Sequence, residues 1–160
     1  MLALAAASVG LWLTGCAGKR IEGGVFHGDG YRVTLPTNGW RVMRRGPADL
    51  ELQREGTPGG MVANASCGRE ASRGLDRLIR QLLFGLKERR VLEQTPISVD
   101  GRAGERVVFE GTAQAGRVKG EAYVLKGEAC VYDLLYVAPA AAFDSGRADF
   151  ERFATSLTSD

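Results

Sequence analysis

In Ala129-Cys130-Val131-Tyr132-Asp133-Leu134-Leu135-Tyr136-Val137, both alternating sets of side chains are apolar, Asp133 apart. A strand with one face in water would alternate apolar and polar residues, so this one must be covered above and below. Pro139 closes it. Beyond it, Phe143, Phe150, Phe153, Ala154 and Leu157 recur on one face and predict a helix over 143–157. Working back, 116–125, 104–112 and 97–99 read as further strands. Asp100-Gly101 is a strong hairpin turn between them; Ala115-Gly116 and Lys126-Gly127 are weaker ones.

Earlier still, Ser72 is a candidate N-cap for a long periodic segment. Leu75, Leu78, Ile79, Leu82, Leu83 and Leu86 recur at helical spacing, with Arg73, Asp76, Arg77, Arg80, Lys87 and Arg89 opposite. The spacing predicts an amphipathic helix over 72–90. Its leucine stripe is read as core laid on the sheet, and a membrane-surface helix is the alternative. In 61–67, Met61, Ala63, Ala65 and Cys67 share a strand face, after the turn Thr57-Pro58-Gly59-Gly60. Leu50 and Leu52 mark a strand in 49–55, Trp40-Arg41-Val42-Met43 precedes it, and Tyr31, Val33 and Leu35 alternate with Arg32 and Thr34 up to Pro36. One helix for each face gives an α+β class, a mostly antiparallel sheet sandwiched by two main helices, with 31–160 as a single domain.

The N-terminal segment is of another kind. A largely apolar run over 1–13 meets the small residues Thr14 and Gly15 and then Cys16, the layout of a secretory signal with its cleavage site. The run is too short before Lys19 and Arg20 to span a bilayer, which takes ~20 residues. Leu13-Thr14-Gly15-Cys16 resembles the lipobox of bacterial lipoproteins. That resemblance implies cleavage after Gly15 and a diacylglycerol on the Cys16 thiol, hence a membrane as partner through a lipid anchor. Residues 1–15 are then a signal peptide, and 16–30 the lipidated cysteine with a glycine-rich flexible tether. By resemblance to lipoprotein sorting, Ala17 after the cysteine implies the periplasmic face of the outer membrane in a Gram-negative cell.

A net charge of +2 with interspersed signs argues against a nucleic-acid partner, and Arg41, Arg44 and Arg45, like Arg89-Arg90, read as solvated surface. With Cys16 taken by lipid, Cys67 and Cys130 remain in an exported chain. A disulfide between them is the favoured reading and a pair of buried thiols the alternative. His27, the one histidine, falls in the tether without a nucleophile or a second metal ligand nearby in sequence. No nucleophile elbow or phosphate loop occurs, so neither catalytic residues, a metal nor a cofactor is expected. Asp133 is expected to be paired with an Arg or a backbone donor, because buried charges are. Tyr132 and Tyr136 share a face, in the core or lining a pocket.

The opening Tyr31-x-Val33-x-Leu35-Pro36-x-x-Gly39-Trp40, the mid-chain leucine helix, the strand meander, and Tyr132-Asp133-Leu134 running to Pro139 before a phenylalanine-bearing helix together resemble the PsbP-like superfamily. It includes an extrinsic photosystem II subunit and small bacterial lipoproteins of the DcrB and LpqN type. The resemblance covers 31–157. It implies an antiparallel sheet sandwiched by helices, used for protein or ligand contact, with no site residue carried over. The leading expectation is a lipid-anchored, non-catalytic envelope protein that binds a protein partner or small ligand. The alternative is a hydrolase-like cell-envelope enzyme whose site is assembled from scattered acids and arginines.

Overall fold

The computed structural model describes residues 19–37, 39–44 and 46–159. Strands β1 (Arg20–Glu22), β2 (Val25–His27), β3 (Tyr31–Thr34), β4 (Trp40–Met43), β5 (Leu50–Arg54) and β6 (Gly60–Cys67) come first. Helix α1 (Leu75–Leu82) follows, then β7 (Lys87–Val99), β8 (Arg102–Ala113), β9 (Gly116–Lys126) and β10 (Cys130–Pro139), and last α2 (Asp144–Thr155) and β11 (Thr158–Ser159). Seven strands form one sheet in the order β4-β5-β6-β10-β9-β8-β7, and four form a smaller one, β1-β2-β3-β11. Every pairing is antiparallel. The chain is an α+β sandwich, as the sequence predicts.

Strand β10 lies at the centre of the large sheet between β6 and β9, as its two apolar faces require. Tyr132, Leu134, Tyr136 and Ala138 point into a core closed by α2 and the small sheet. Val131, Leu135 and Val137 point to the opposite face, where Leu78, Ile79 and Leu83 of α1 and its C-terminal turn pack on Val107, Phe109, Ala122 and Val124. Two glycines permit the close approaches. A Cβ at Gly120 would stand 2.3 Å from the Phe109 ring, which lies across its register partner, and one at Gly146 would stand 2.4 Å from Tyr136 Oη, under α2. Tyr136 is thereby stacked between Phe143 and Phe150, with centroids 5.3 and 5.9 Å away, and its hydroxyl donates to the Phe143 carbonyl at 3.0 Å. The opening motif is clamped to the same core. Tyr31 and Val33 are fully buried, and Trp40 meets Tyr136 edge-on while its Nε1–H donates to Asp149 at 3.0 Å.

Two expectations need correction. The helix expected over 72–90 ends at Leu82, and Gly74 rather than Ser72 is its N-cap. Gly85 interrupts the pattern, a residue that costs a helix interior about 1 kcal/mol. From Lys87 onward the backbone instead pairs with β8, in a ladder with two irregularities running to Val99. Arg89-Arg90 therefore lies on an edge strand, where charge discourages pairing with another chain. The flexible tether is the second correction. Residues 20–27 form a hairpin on β3, turned by Gly23 (φ +57°) and Gly24 (φ +78°), left-handed conformations suited to a two-residue turn. Phe26 closes the core over Tyr31, 5.8 Å between rings.

Within the leucine stripe, Leu82 is only half-buried, whereas Leu78, Ile79 and Leu83 are buried. Ile79→Val should cost ~0.5–1.5 kcal/mol in urea unfolding. Phe84→Ala, at a side chain 79% exposed, should stay within about 0.5 kcal/mol. Equal effects of the two would mean that this face of α1 is not core.

Candidate functional site

One convergence of polar and apolar groups built from the N-terminal strands lies where the small sheet meets the edge of the large one. Asp49, just ahead of β5, has a side chain 8% exposed. Its Oδ1 accepts from Lys19 Nζ at 2.5 Å, and its Oδ2 from the Ala65 amide at 2.9 Å and the Tyr31 hydroxyl at 3.2 Å. The hydrogen bond from Lys19 to Asp49 raises the lysine pKa against the opposing cost of burial. Burial, then the Asp49 charge, pushes the Tyr31 phenol far above its ordinary range, so it stays a neutral donor. Around this clamp opens a cleft of about 560 Å³, with Ile21, Phe26, Val42 and Met43 among its walls and Arg20 and Arg44 at its margin.

A second cleft, about 760 Å³, lies at the β7–β8 and β9–β10 turns. There the Arg102 guanidinium sits 5.5 Å from the Tyr132 ring centre and donates to Asp100 Oδ2 at 2.6 Å, while its buried Nε has no hydrogen-bond partner among the described residues. The Ser159 amide, followed by Arg102, holds the Asp100 carboxyl below its ordinary pKa. A smaller groove, about 280 Å³, runs between α1 and the large sheet over Val62, Asn64, Leu82, Asp133 and Leu135.

The structure separates the residues singled out from sequence. Cys16 and Arg45 lie outside the described residues. Cys67 and Cys130 are directly opposed at the end of the β6–β10 ladder, with Cα atoms 4.0 Å apart and a bond between their sulfurs. His27 stands in β2 opposite Arg20 and Arg32, and none of the hydrogen bonds or ion pairs among the described residues involves its ring. Asp133 is half-buried in the groove beside α1. Tyr132 and Tyr136 are both in the core. Among the described residues no three His, Cys, Asp or Glu side chains come together as metal ligands, and no helix is long and apolar enough to cross a membrane.

Sequence reasoning missed the acid that draws arginines together. Glu121 of β9 is fully buried on the α2 face. Its Oε1 accepts from Arg106 Nε at 2.5 Å and its Oε2 from Arg147 Nε at 3.0 Å. Arg106 also reaches Glu93 at 2.7 Å, and Arg147 reaches Glu151 at 3.4 Å. Burial opposes the Arg106 charge, but the hydrogen bond and charge of Glu121 outweigh it and raise the guanidinium pKa. Both carboxylate oxygens are engaged and neither reaches solvent, so this cluster offers no acid or base to a substrate. An acid flanked by Gly120, Ala122 and Tyr123 within an apolar strand was the available signal.

No family model matches the sequence, and a comparison with curated protein sequences finds no match. Solved structures do share the fold. The cyanobacterial PsbP protein CyanoP from Synechocystis superposes with a TM-score of 0.60 at 11% identity, covering 82% of this chain and 87% of that one. LpqN, involved in cell envelope biogenesis of Mycobacterium tuberculosis, gives 0.58 at 15% identity, covering 82% and 86%. A Pseudomonas aeruginosa protein of unknown function gives 0.56 at 12% identity, covering 81% and 91%. The fold is PsbP-like.

Proposed function

We propose that this chain is a lipid-anchored, non-catalytic protein of the cell envelope that binds a protein partner or small ligand. Leu13-Thr14-Gly15-Cys16, at the end of an apolar leader, carries the reading. Cleavage after Gly15 would leave Cys16 acylated and three positions ahead of Lys19, the first described residue. The fold shared with LpqN, an envelope-biogenesis protein, supports the same compartment, as does a disulfide in an exported chain. The burial of Glu121 and the engagement of both its oxygens speak against the hydrolase-like alternative, since the scattered acids and arginines that do meet are spent on one another. On this reading the anchor faces the periplasm, from the outer membrane in a Gram-negative cell.

Cys16→Ala should abolish incorporation of labelled fatty acid and leave an uncleaved precursor in the membrane fraction. Undiminished labelling of that variant would sink the anchor. Crosslinking and recovery of the acylated protein from native membranes tests the binding role, with a stoichiometric partner as the expected result.

A further inference from the structure

The hairpin over residues 20–27 removes the spacer that a lipoprotein ordinarily keeps between its lipid and its body. Only Ala17 and Gly18 separate Cys16 from Lys19, three Cα–Cα steps and a reach of at most ~11 Å for a fully extended chain. Lys19 is itself held by Asp49, and Asp49 by the Tyr31 hydroxyl and the Ala65 amide, so the attachment point is fixed to both sheets. Whatever surface surrounds Lys19 must stay close to the lipid headgroups.

That surface suits them. Ile21, Val42 and Met43 are 45%, 38% and 45% exposed, half of the large hydrophobic side chains exposed among the described residues, and all three line the one cleft beside Lys19. They come from edge strands of two different sheets, so the patch does not follow from burying one face of a single strand. Arg20 and Arg44 border it. Arg20 pairs loosely with Glu22 at 3.5 Å, and Arg44 makes no ion pair among the described residues. The acids in the cleft are engaged, Asp49 by Lys19 and Glu51 by the Ala48 amide at 3.5 Å. Exposed apolar side chains rimmed by arginine match a bilayer interface, apolar below and phosphate-rich above.

We infer that the face carrying Ile21, Val42, Met43, Arg20 and Arg44 lies against the bilayer that holds the Cys16 lipid, so that the protein is oriented on the membrane rather than swung from a tether. This rests on the anchor reading. It leaves the Arg102 cleft, which shares no lining residue with the patch, able to serve a partner.

The test uses mature acylated protein in vesicles of phosphatidylcholine with a minority of phosphatidylglycerol, their acyl chains brominated to quench nearby tryptophan. Trp40 supplies the background signal. Met43→Trp adds a reporter in the patch, Ile21→Trp a second one from the other sheet, and Gln114→Trp one in the exposed β8–β9 turn at the far end of the sandwich. Quenching of the two patch reporters should exceed that of Gln114→Trp by roughly twofold or more. Flotation of the wild type scores the anchor separately. Protein that does not float with the vesicles overturns the anchor and the apposition together. Protein that floats yet shows equal quenching at all three positions overturns the apposition alone and assigns the patch to a protein partner.

Discussion

Glu121→Ala should destabilise the domain by about 3–5 kcal/mol, because it strands two arginines that β8 and α2 hold in place. Arg106 is the more costly of them, with a side chain 13% exposed against 37% for Arg147. Arg106 would keep only Glu93, which is half-exposed and therefore a screened partner. Arg147 can retreat to Glu151 and solvent and contributes less. Glu121→Gln should cost less than the alanine, since one amide oxygen still accepts from a guanidinium. Replacing all three charges at once (Arg106→Met, Glu121→Leu, Arg147→Met) should be near neutral or stabilising, because the desolvation of each ion disappears with it. Equilibrium urea unfolding of the four proteins, wild type included, separates these outcomes. A loss under about 1 kcal/mol for Glu121→Ala would show that water reaches the cluster and that it is no keystone of the α2 face.

That cluster marks where the sequence stops being legible. The central strand was readable because a two-sided apolar pattern has one physical solution, burial on both faces, and β10 occupies it. Helix α2 and the positions of the leucines in α1 were readable for the same reason, as stripes that need a surface to cover. The length of α1 was not, because residues 87–95 carry a charge pattern that suits a helix face and an edge strand equally. The choice was made by the β8 ladder, a partner distant in sequence. The tether was misread by counting glycines. Gly23-Gly24 between Ile21 and Phe26 is a hairpin signal as well as a flexible one, and the buried Phe26 ring decides for the hairpin. Glu121 and Asp49 escaped notice because their partners, Arg106, Arg147, Lys19 and Tyr31, are brought to them by sheet register and by packing. No local spacing encodes those meetings.

Reducing the Cys67–Cys130 bond should lower stability by about 2–4 kcal/mol, on the order of 10 °C in Tm for a domain of this size. The bridge spans 63 positions, closing off α1 and all of β7, β8 and β9. Chain-entropy arithmetic for a loop of that length gives about 4 kcal/mol as the value for a fully disordered unfolded chain. The effect acts on the unfolded state, because β6 and β10 are already held by a continuous register from Cys67 opposite Cys130 to Gly60 opposite Val137. Reduced protein should therefore keep its fold and its antiparallel sheet signal in circular dichroism at 25 °C while melting earlier. The double variant Cys67→Ala with Cys130→Ala should melt close to reduced wild type and ignore reductant. A reduced protein that melts within a degree or two of the oxidised one would mean that the unfolded chain is already compact across this loop. A reduced protein that loses its sheet signal at 25 °C would mean that the bond holds the native pairing itself, and that the ladder between the two central strands is weaker than its register implies.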